Sequence, residues 1–310
     1  MNPIRRQLAG YVVNLSISES GESARLGFPL WQVNRITLQI VAALFGQGVS
    51  VAFGHDWRDD GVMEAVYGFA RQVQSPVPLS SSKAEATGQP LLRNMLPWPD
   101  SPYLPERDLE RLSATLRVDS AGLPDGLRAF DGEARRAERT SPVYRYVRAR
   151  GLTFLRQRLT DICDARLCVG GRRSGSQGRY PGVIEEALLA LNENKPLYLV
   201  GFLGGATRQL VQAIDGKEMA DDFCRPTSLE SLYERPPIQE PNAPLSRDRI
   251  IDRGSVWRQF RQAGREGLSA RNGLTTQENG ELLHTLVLDR AIELVLAGLS
   301  SVRRNSVEGH

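Results

Sequence analysis

The chain has 310 residues, 41% of them hydrophobic and 24% charged, which excludes a wholly disordered or fibrous protein and allows a core without disulfide or metal staples. Its 39 basic and 36 acidic residues leave a net charge of +3, too balanced for a nucleic-acid partner to be expected. The run YVVNLSI (11–17) is apolar and β-branched and predicts a buried strand, followed by the Ser- and Gly-rich loop SESGESARLGFP. LWQVNRITLQIVAALFGQG then sets Leu30, Val33, Thr37, Ile40, Val41, Leu44 and Phe45 at helical spacing, with Gly46 and Gly48 as the stop. VSVAFG (49–54) predicts a second strand, HDWRDD a loop and GVMEAVYGFARQVQ (61–74) a second helix. Strand–helix alternation with short connections is the pattern of a parallel sheet covered by helices.

Residues 75–142 hold many of the 18 prolines and predict an irregular insertion. Within it PLLRNMLP predicts a strand and ERDLERLSATLR a short helix. Regular patterning returns with PVYRYVRARGLTFLRQRLTDIC as a helix, ARLCVGG as a strand and YPGVIEEALLALNENK as a helix. PLYLVGF is a further strand, and GGATRQLVQAI a helix opening on a glycine pair. ERPPIQEPNAP (234–244) reads as a proline-rich linker, and DRIIDRGSVWRQFRQAG and GELLHTLVLDRAIELVLAGL as C-terminal helices, the last with a wide apolar stripe. The expected organisation is one α/β domain over 1–220, interrupted at 75–142, and a linker with a helical extension over 221–310. The extension is available for homo-oligomer or partner contacts.

Lysine stands only at Lys83, Lys195 and Lys217, and the remaining basic residues are arginine. A GC-rich genome produces that bias, and the guanidinium fork also suits phosphate. Cys163, Cys168 and Cys224 lack CxxC spacing and predict neither a zinc site nor a disulfide framework. His284, three residues after Glu281, has no third ligand in view, so no metal is expected. No apolar run approaches the roughly 20 residues that span a bilayer, and the N-terminus lacks an export signal. A cytoplasmic location without membrane contact is expected.

In a parallel sheet, ligands sit beyond the carboxyl ends of the strands, where helix N-termini present free N–H groups. Four such ends are legible: Ser16-Ile17-Ser18-Glu19, Gly54-His55-Asp56, Gly170-Gly171-Arg172, and Gly201 to Gly205. The richest is VGGRRSGSQGRYPGVIEE (169–186), a strand ending in a glycine pair, an arginine-rich loop, and Pro181-Gly182 opening a helix. Such an opening attracts an anion, and nearby arginines add bidentate contacts. Glu185 and Glu186 either stabilise the helix dipole or meet ribose hydroxyls or a glycosidic centre. Arg25 and Arg208 read as phosphate contacts or as plain surface arginines. His55, beside Asp56, reads as a base or ribose contact or as a solvated loop residue. Trp31 and Trp57 stack on a base or pack at the core or rim, and Trp98, between two prolines, is expected in a loop. No Ser-His-Asp order, GxSxG elbow, Walker loop or HExxH motif is present.

The order strand–Gly-Gly–loop–Pro-Gly-x-x-Glu–helix, with GFLGGATRQL after the next strand, resembles the SLOG superfamily. These are Rossmann-like domains related to the DNA-processing protein and the Lonely-guy phosphoribohydrolases. NLSISES followed by VAFGHDWRDDGVMEA is similar to the prokaryotic SLOG groups akin to the domain of TRPM channels. The resemblance covers about residues 8–215 and implies a Rossmann-like α/β fold, a parallel sheet with helices on both faces. It also implies binding of a nucleotide-derived ligand, ADP-ribose- or NAD-like, that regulates a separate effector protein in bacterial conflict or defence; no cofactor is firmly implied. By position, Ser16, Ser18, Gly170, Gly171, Gly182 and Gly205 line the pocket. Glu19, Arg25, Gly54, His55, Asp56, Arg172, Gly204 and Arg208 complete the candidate set from the strand ends. Glu185 matches the glutamate of the phosphoribohydrolases' PGGxGTxxE motif. Here, however, Val169 replaces Pro, Pro181 and Gly182 stand where Gly-Thr should be, and residues 172–180 replace a single position. That departure favours sensing. The alternative is a nucleotide N-glycosidase in which Glu185 or Glu186 stabilises an oxocarbenium-like centre.

Overall fold

The computed structural model describes residues 8–54, 63–74, 90–98, 115–174, 178–224, 233–234 and 250–308. The six strands described are β1 (Val12–Ser18), β2 (Ser50–Gly54), β3 (Leu92–Leu96), β4 (Leu116–Ser120), β5 (Ala165–Gly170) and β6 (Leu197–Val200). All pair in parallel, in the order β4-β3-β2-β1-β5-β6. The chain thus runs outward from β1 in one direction through β4, then returns to the other side of β1 with β5 and β6. β1 against β5 is therefore the switch point of the sheet, and the crevice beyond their carboxyl ends is the place where such folds hold ligands. β5 and β6 are buried along their whole length, as strands covered on both faces must be.

The helices are α1 (Gly21–Arg25), α2 (Leu30–Gly46), α3 (Met63–Gln74), α4 (Asp131–Arg136), α5 (Pro142–Ile162), α6 (Gly182–Asn192), α7 (Gly205–Ile214), α8 (Asp221–Cys224), α9 (Arg253–Asn272), α10 (Thr276–His284) and α11 (Leu288–Glu308). A 3-10 helix, Asp125–Phe130, leads into α4. On one face α2, α3 and α11 cover Val13, Leu15, Val51, Phe53, Leu92, Leu167, Val169 and Val200. On the other, α5 lays Leu155 and Leu159 over Val12, Ala52 and Met95. Beside it α6, α7 and α9 bury Cys168, Leu197 and Leu199. This is the Rossmann-like α/β arrangement that the alternation of strands and helices predicts.

The C-terminal helices are part of this core. Ala291, Leu294, Val295 and Leu299 of α11 pack on the sheet, which explains the apolar stripe. Where α9 ends, the Asn272 amide donates to the Leu197 carbonyl at 3.0 Å and to the Asn279 side chain at 2.8 Å, and the Tyr198 hydroxyl donates to the Asn272 carbonyl at 2.8 Å.

Two sequence expectations are corrected. The short helix expected to run to Arg117 gives way at its end to β4, an edge strand from Leu116 whose Arg117 and Asp119 pair with each other in solvent. The single helix expected over 280–299 is two helices: the Thr285 hydroxyl takes the Val287 N–H at 3.2 Å, a local turn that competes with helical hydrogen bonding. Trp98 lies in a turn after β3, as expected, and that turn is buried against Leu127, Tyr146 and Val147. Most of the linker expected over 234–244 lies outside the described residues, as does the rest of the helix expected before β4. No described helix is long and apolar enough to cross a membrane.

Candidate functional site

The mouth of the β1–β5 pair is closed by main-chain contacts that only glycine permits. Gly171 donates its N–H to the Ser18 carbonyl at 2.9 Å, and Ala206 donates to the Gly171 carbonyl at 2.8 Å. The Thr207 hydroxyl donates to the Gly170 carbonyl at 2.9 Å. Gly170 and Gly171 take φ of 66° and 95°. A Cβ on Gly170 would stand 2.7 Å from the Ser18 carbonyl oxygen, one on Gly171 would stand 2.6 Å from Val183 Cγ2, and one on Gly205 would collide with the Gly171 carbonyl. These glycines thus bring β1, β5, α6 and α7 into close contact. The same holds at Gly54, where a Cβ would stand 2.9 Å from Leu155.

Outside this junction lies an open cleft of about 470 Å³ between α1 and the segment after β5. Glu19, Ser20, Gly21, Glu22 and Arg25 form one wall, and Arg172, Arg173 and Ser174 the other. α1 begins with a reciprocal capping box, in which Ser20 accepts the Ser23 N–H and Ser23 accepts the Ser20 N–H. That turn aims Glu22 at the start of α7. The Glu22 carboxylate accepts the Gly205 N–H at 2.7 Å, pairs with Arg173, and lies 3.5 Å from Arg208. Arg173 also pairs with Asp222 at 2.9 Å, and Arg172 faces Glu19 at 3.5 Å. A Cβ on Gly204, whose φ is 72°, would stand 2.8 Å from Glu22 Cγ and Cδ, so glycine is what admits the glutamate here.

A second cluster lies beneath α5 and α6. Arg166 on β5 is fully buried. It donates to the Ser16 hydroxyl at 3.0 Å and the Thr160 hydroxyl at 2.7 Å, and it pairs with Glu186 at 3.1 Å. The Ser16 hydroxyl donates to Glu186 in turn. Arg156 on α5 pairs with Glu185, which also accepts the Tyr180 N–H at 3.4 Å, and it lies 3.8 Å from Glu186. Glu185 is 3% exposed, and its Oε1 has no hydrogen-bond partner among the described residues. Cys168 lies in the same region, and burial pushes its thiol pKa up to about 12. Burial likewise raises the phenols of Tyr180 and Tyr233.

The sequence-derived residues therefore divide. Glu19, Arg25 and Arg172 line the cleft. Ser18, Gly170, Gly171, Gly204, Gly205 and Arg208 build the junction behind it. Ser16, Glu185 and Glu186 belong to the buried cluster, as does Gly182, where a Cβ would stand 3.0 Å from Arg156. Gly54 packs under α5, and His55, Asp56 and Trp57 lie outside the described residues. Trp31 is 57% exposed. His284 is held by Asp215 at 2.9 Å, which also takes Arg265 at 2.6 Å. Glu22 and the buried Arg156 and Arg166 are absent from the sequence-derived set. The Ser-x-x-Ser box was the legible signal for Glu22, since it starts a helix that places an acid in its first turn.

No curated protein and no solved structure matches the chain significantly. A family model does, over residues 7–282, from before β1 into α10. That span contains the whole sheet, the cleft and both charged clusters, and it bears out the resemblance read from the order of the glycine-rich strand ends. The chain belongs to the SLOG cluster2 family, and membership points to a nucleotide-related function.

Proposed function

We propose that the chain binds a nucleotide-derived ligand of the ADP-ribose or NAD type in the β1–β5 cleft, with its diphosphate directed at the start of α7. The observation that carries this reading is convergence. At the switch point of the sheet, Arg173 and the Gly205 N–H meet on one oxygen of a carboxylate whose other oxygen lies 3.5 Å from Arg208, with Arg172 on the adjoining wall. Guanidinium forks and a helix N-terminus are the groups that select phosphate oxygens. Such a protein works as a sensor that controls a separate effector in a bacterial defence system, the role that the resemblance implies.

The test is calorimetric titration of the full chain with ADP-ribose, NAD, AMP and adenosine. Saturable binding of the diphosphates, with adenosine inert and the Arg173→Ala variant at least about tenfold weaker, is the expected result; ~1.4 kcal/mol corresponds to that factor. Equal binding of adenosine and ADP-ribose would sink it.

A second reading has one observation in its favour. Glu185 is a buried carboxylate with an unpaired oxygen, the kind of group that N-glycosidic cleavage requires near the anomeric carbon. Against it, Glu185 on α6 is paired with Arg156 and faces α5 rather than the wall of the cleft. Release of free base from AMP or NAD, abolished in Glu185→Gln or Glu186→Gln, would establish hydrolysis in place of sensing.

A further inference from the structure

The oxyanion position at the start of α7 already holds an anion that belongs to the chain itself. Glu22 occupies it, with its carboxylate on the Gly205 N–H and between Arg173 and Arg208. Three features distinguish this contact from an ordinary surface ion pair. The glutamate enters a space that a side chain on residue 204 would fill, because a Cβ there would stand 2.8 Å from Glu22 Cγ and Cδ. The cradle is larger than its occupant: Arg173 Nε is buried and has no hydrogen-bond partner among the described residues, so one donor remains unused with the carboxylate in place. And the element that delivers Glu22 is slight. α1 has five residues, its Arg25 is exposed, and Leu26 just beyond it is 44% exposed.

We propose that Glu22 is a displaceable latch, a resident carboxylate that holds the phosphate seat shut until a ligand bearing a diphosphate or terminal phosphate takes its place and frees α1. This rests on the reading of the cleft as a phosphorylated-ligand site and adds to it a ligand class and a mode of regulation. A phosphate offers more oxygens than a carboxylate and so reaches the spare Arg173 donor as well as the Gly205, Arg173 and Arg208 donors that Glu22 engages. Arg173 is also paired with Asp222 at 2.9 Å, a tie that does not involve Glu22 and can hold the seat formed when the latch leaves. A neutral nucleoside has nothing to exchange for Glu22 and leaves the latch closed. The chain would then signal phosphate occupancy through the position of α1, the first turn after the central strand.

The energetic consequence is a competition. A ligand that binds only the unlatched form has its affinity reduced by the fraction of chains unlatched. If about a tenth are open at rest, removing the carboxylate tightens binding about tenfold. The experiment titrates the full-length protein and its Glu22→Gln and Glu22→Ala variants with inorganic pyrophosphate and with ADP-ribose. Thermal unfolding without ligand confirms that each variant is folded, and the near-isosteric Gln serves if Ala lowers the melting temperature.

The expected result is that both ligands bind about tenfold tighter to the Glu22 variants than to the parent, with Arg208→Ala weakening both. Binding to the parent that is unchanged or weakened in Glu22→Gln overturns the latch and leaves the nucleotide site standing, with Glu22 then a ligand contact or a structural tie. Failure of pyrophosphate and ADP-ribose to bind either the parent or the variants overturns the latch and the ligand site together.

Discussion

Two groups of arginines and glutamates flank β1 and β5, and their arginines differ in exposure to water. Arg172 and Arg173 in the cleft and Arg208 behind it retain side-chain exposures of 54%, 29% and 48%, and their partners Glu19 and Glu22 33% and 17%. Beneath α5 and α6, Arg156 and Arg166 are 10% and 0% exposed, and Glu185 and Glu186 4% and 14%. An exposed ion pair contributes about 0–1 kcal/mol and yields readily to a competing anion. A buried pair has already given up its hydration, and removal of one partner strands the other charge in a low-dielectric setting. The first group is therefore suited to exchange partners with a ligand, and the second to fix how α5 and α6 sit on the sheet.

The largest expected effect tests the buried half of this contrast. Glu186→Ala leaves Arg166 without its carboxylate and should lower unfolding free energy by about 3–5 kcal/mol in urea denaturation. The double variant Arg166→Met, Glu186→Leu removes both charges and should recover most of that loss, because an apolar pair of similar volume need not be less stable than a buried ion pair. A small loss in Glu186→Ala would mean that water reaches this cluster and would erase the distinction from the cleft.

Next in size is the junction that joins the two regions. Gly205→Ala places a methyl group against the Gly171 carbonyl at a φ of 67°. Strain of this kind costs on the order of 1–3 kcal/mol, and thermal unfolding should report it. The same variant should also weaken ADP-ribose binding, since the Gly205 N–H is a cradle donor.

A third expectation concerns Cys168, whose thiol sits beside Ser16, Arg166 and Glu186 and has its pKa pushed up to about 12, chiefly by burial. The folded chain therefore keeps this proton at pH values where the unfolded chain releases it. Its contribution to stability is fully present below the ordinary thiol value and is lost as pH rises from about 9 toward 12, by at most ~1.4 kcal/mol per pH unit. Alkylation of Cys168 by iodoacetamide at pH 9 should be confined to globally opened molecules and should accelerate in Glu186→Ala about tenfold for each ~1.4 kcal/mol of lost stability. Fast labelling in the intact protein would show the cluster to be open.

The sheet was legible in the sequence wherever strands are covered on both faces, because ARLCVG and LYLV have no solvent side to dilute the apolar signal. β4 was not legible for the opposite reason: an edge strand with Arg117 and Asp119 facing water resembles any polar segment. The break between α10 and α11 escaped notice because helical apolar spacing continues across Thr285 and Val287, and only a hydroxyl-to-main-chain hydrogen bond interrupts it. In the candidate site, glycine doublets marked the strand ends correctly, although the structure uses them for packing between protein segments. Glu22 reads as a solvated loop acid until α7 is known to point at it. Arg156 and Arg166 were hidden among many arginines, and no periodicity separates a buried arginine from an exposed one.

The smallest stability effect belongs to Arg172, and it sharpens the comparison from the other side. Arg172 is more than half exposed and lies 3.5 Å from Glu19, so its ion pair is screened by water. Arg172→Ala should shift the urea midpoint by the equivalent of less than about 0.5–1 kcal/mol. Its effect on ADP-ribose affinity should be several-fold, because a guanidinium in the cleft wall acts on a bound diphosphate through a charge-assisted hydrogen bond that the free protein does not use. That combination, little change in folding and a clear change in binding, separates a ligand-facing arginine from the buried ones, where the order is reversed. If Arg172→Ala left both quantities unchanged, the diphosphate would have to lie nearer Arg173 and Arg208, at the α7 end of the cleft.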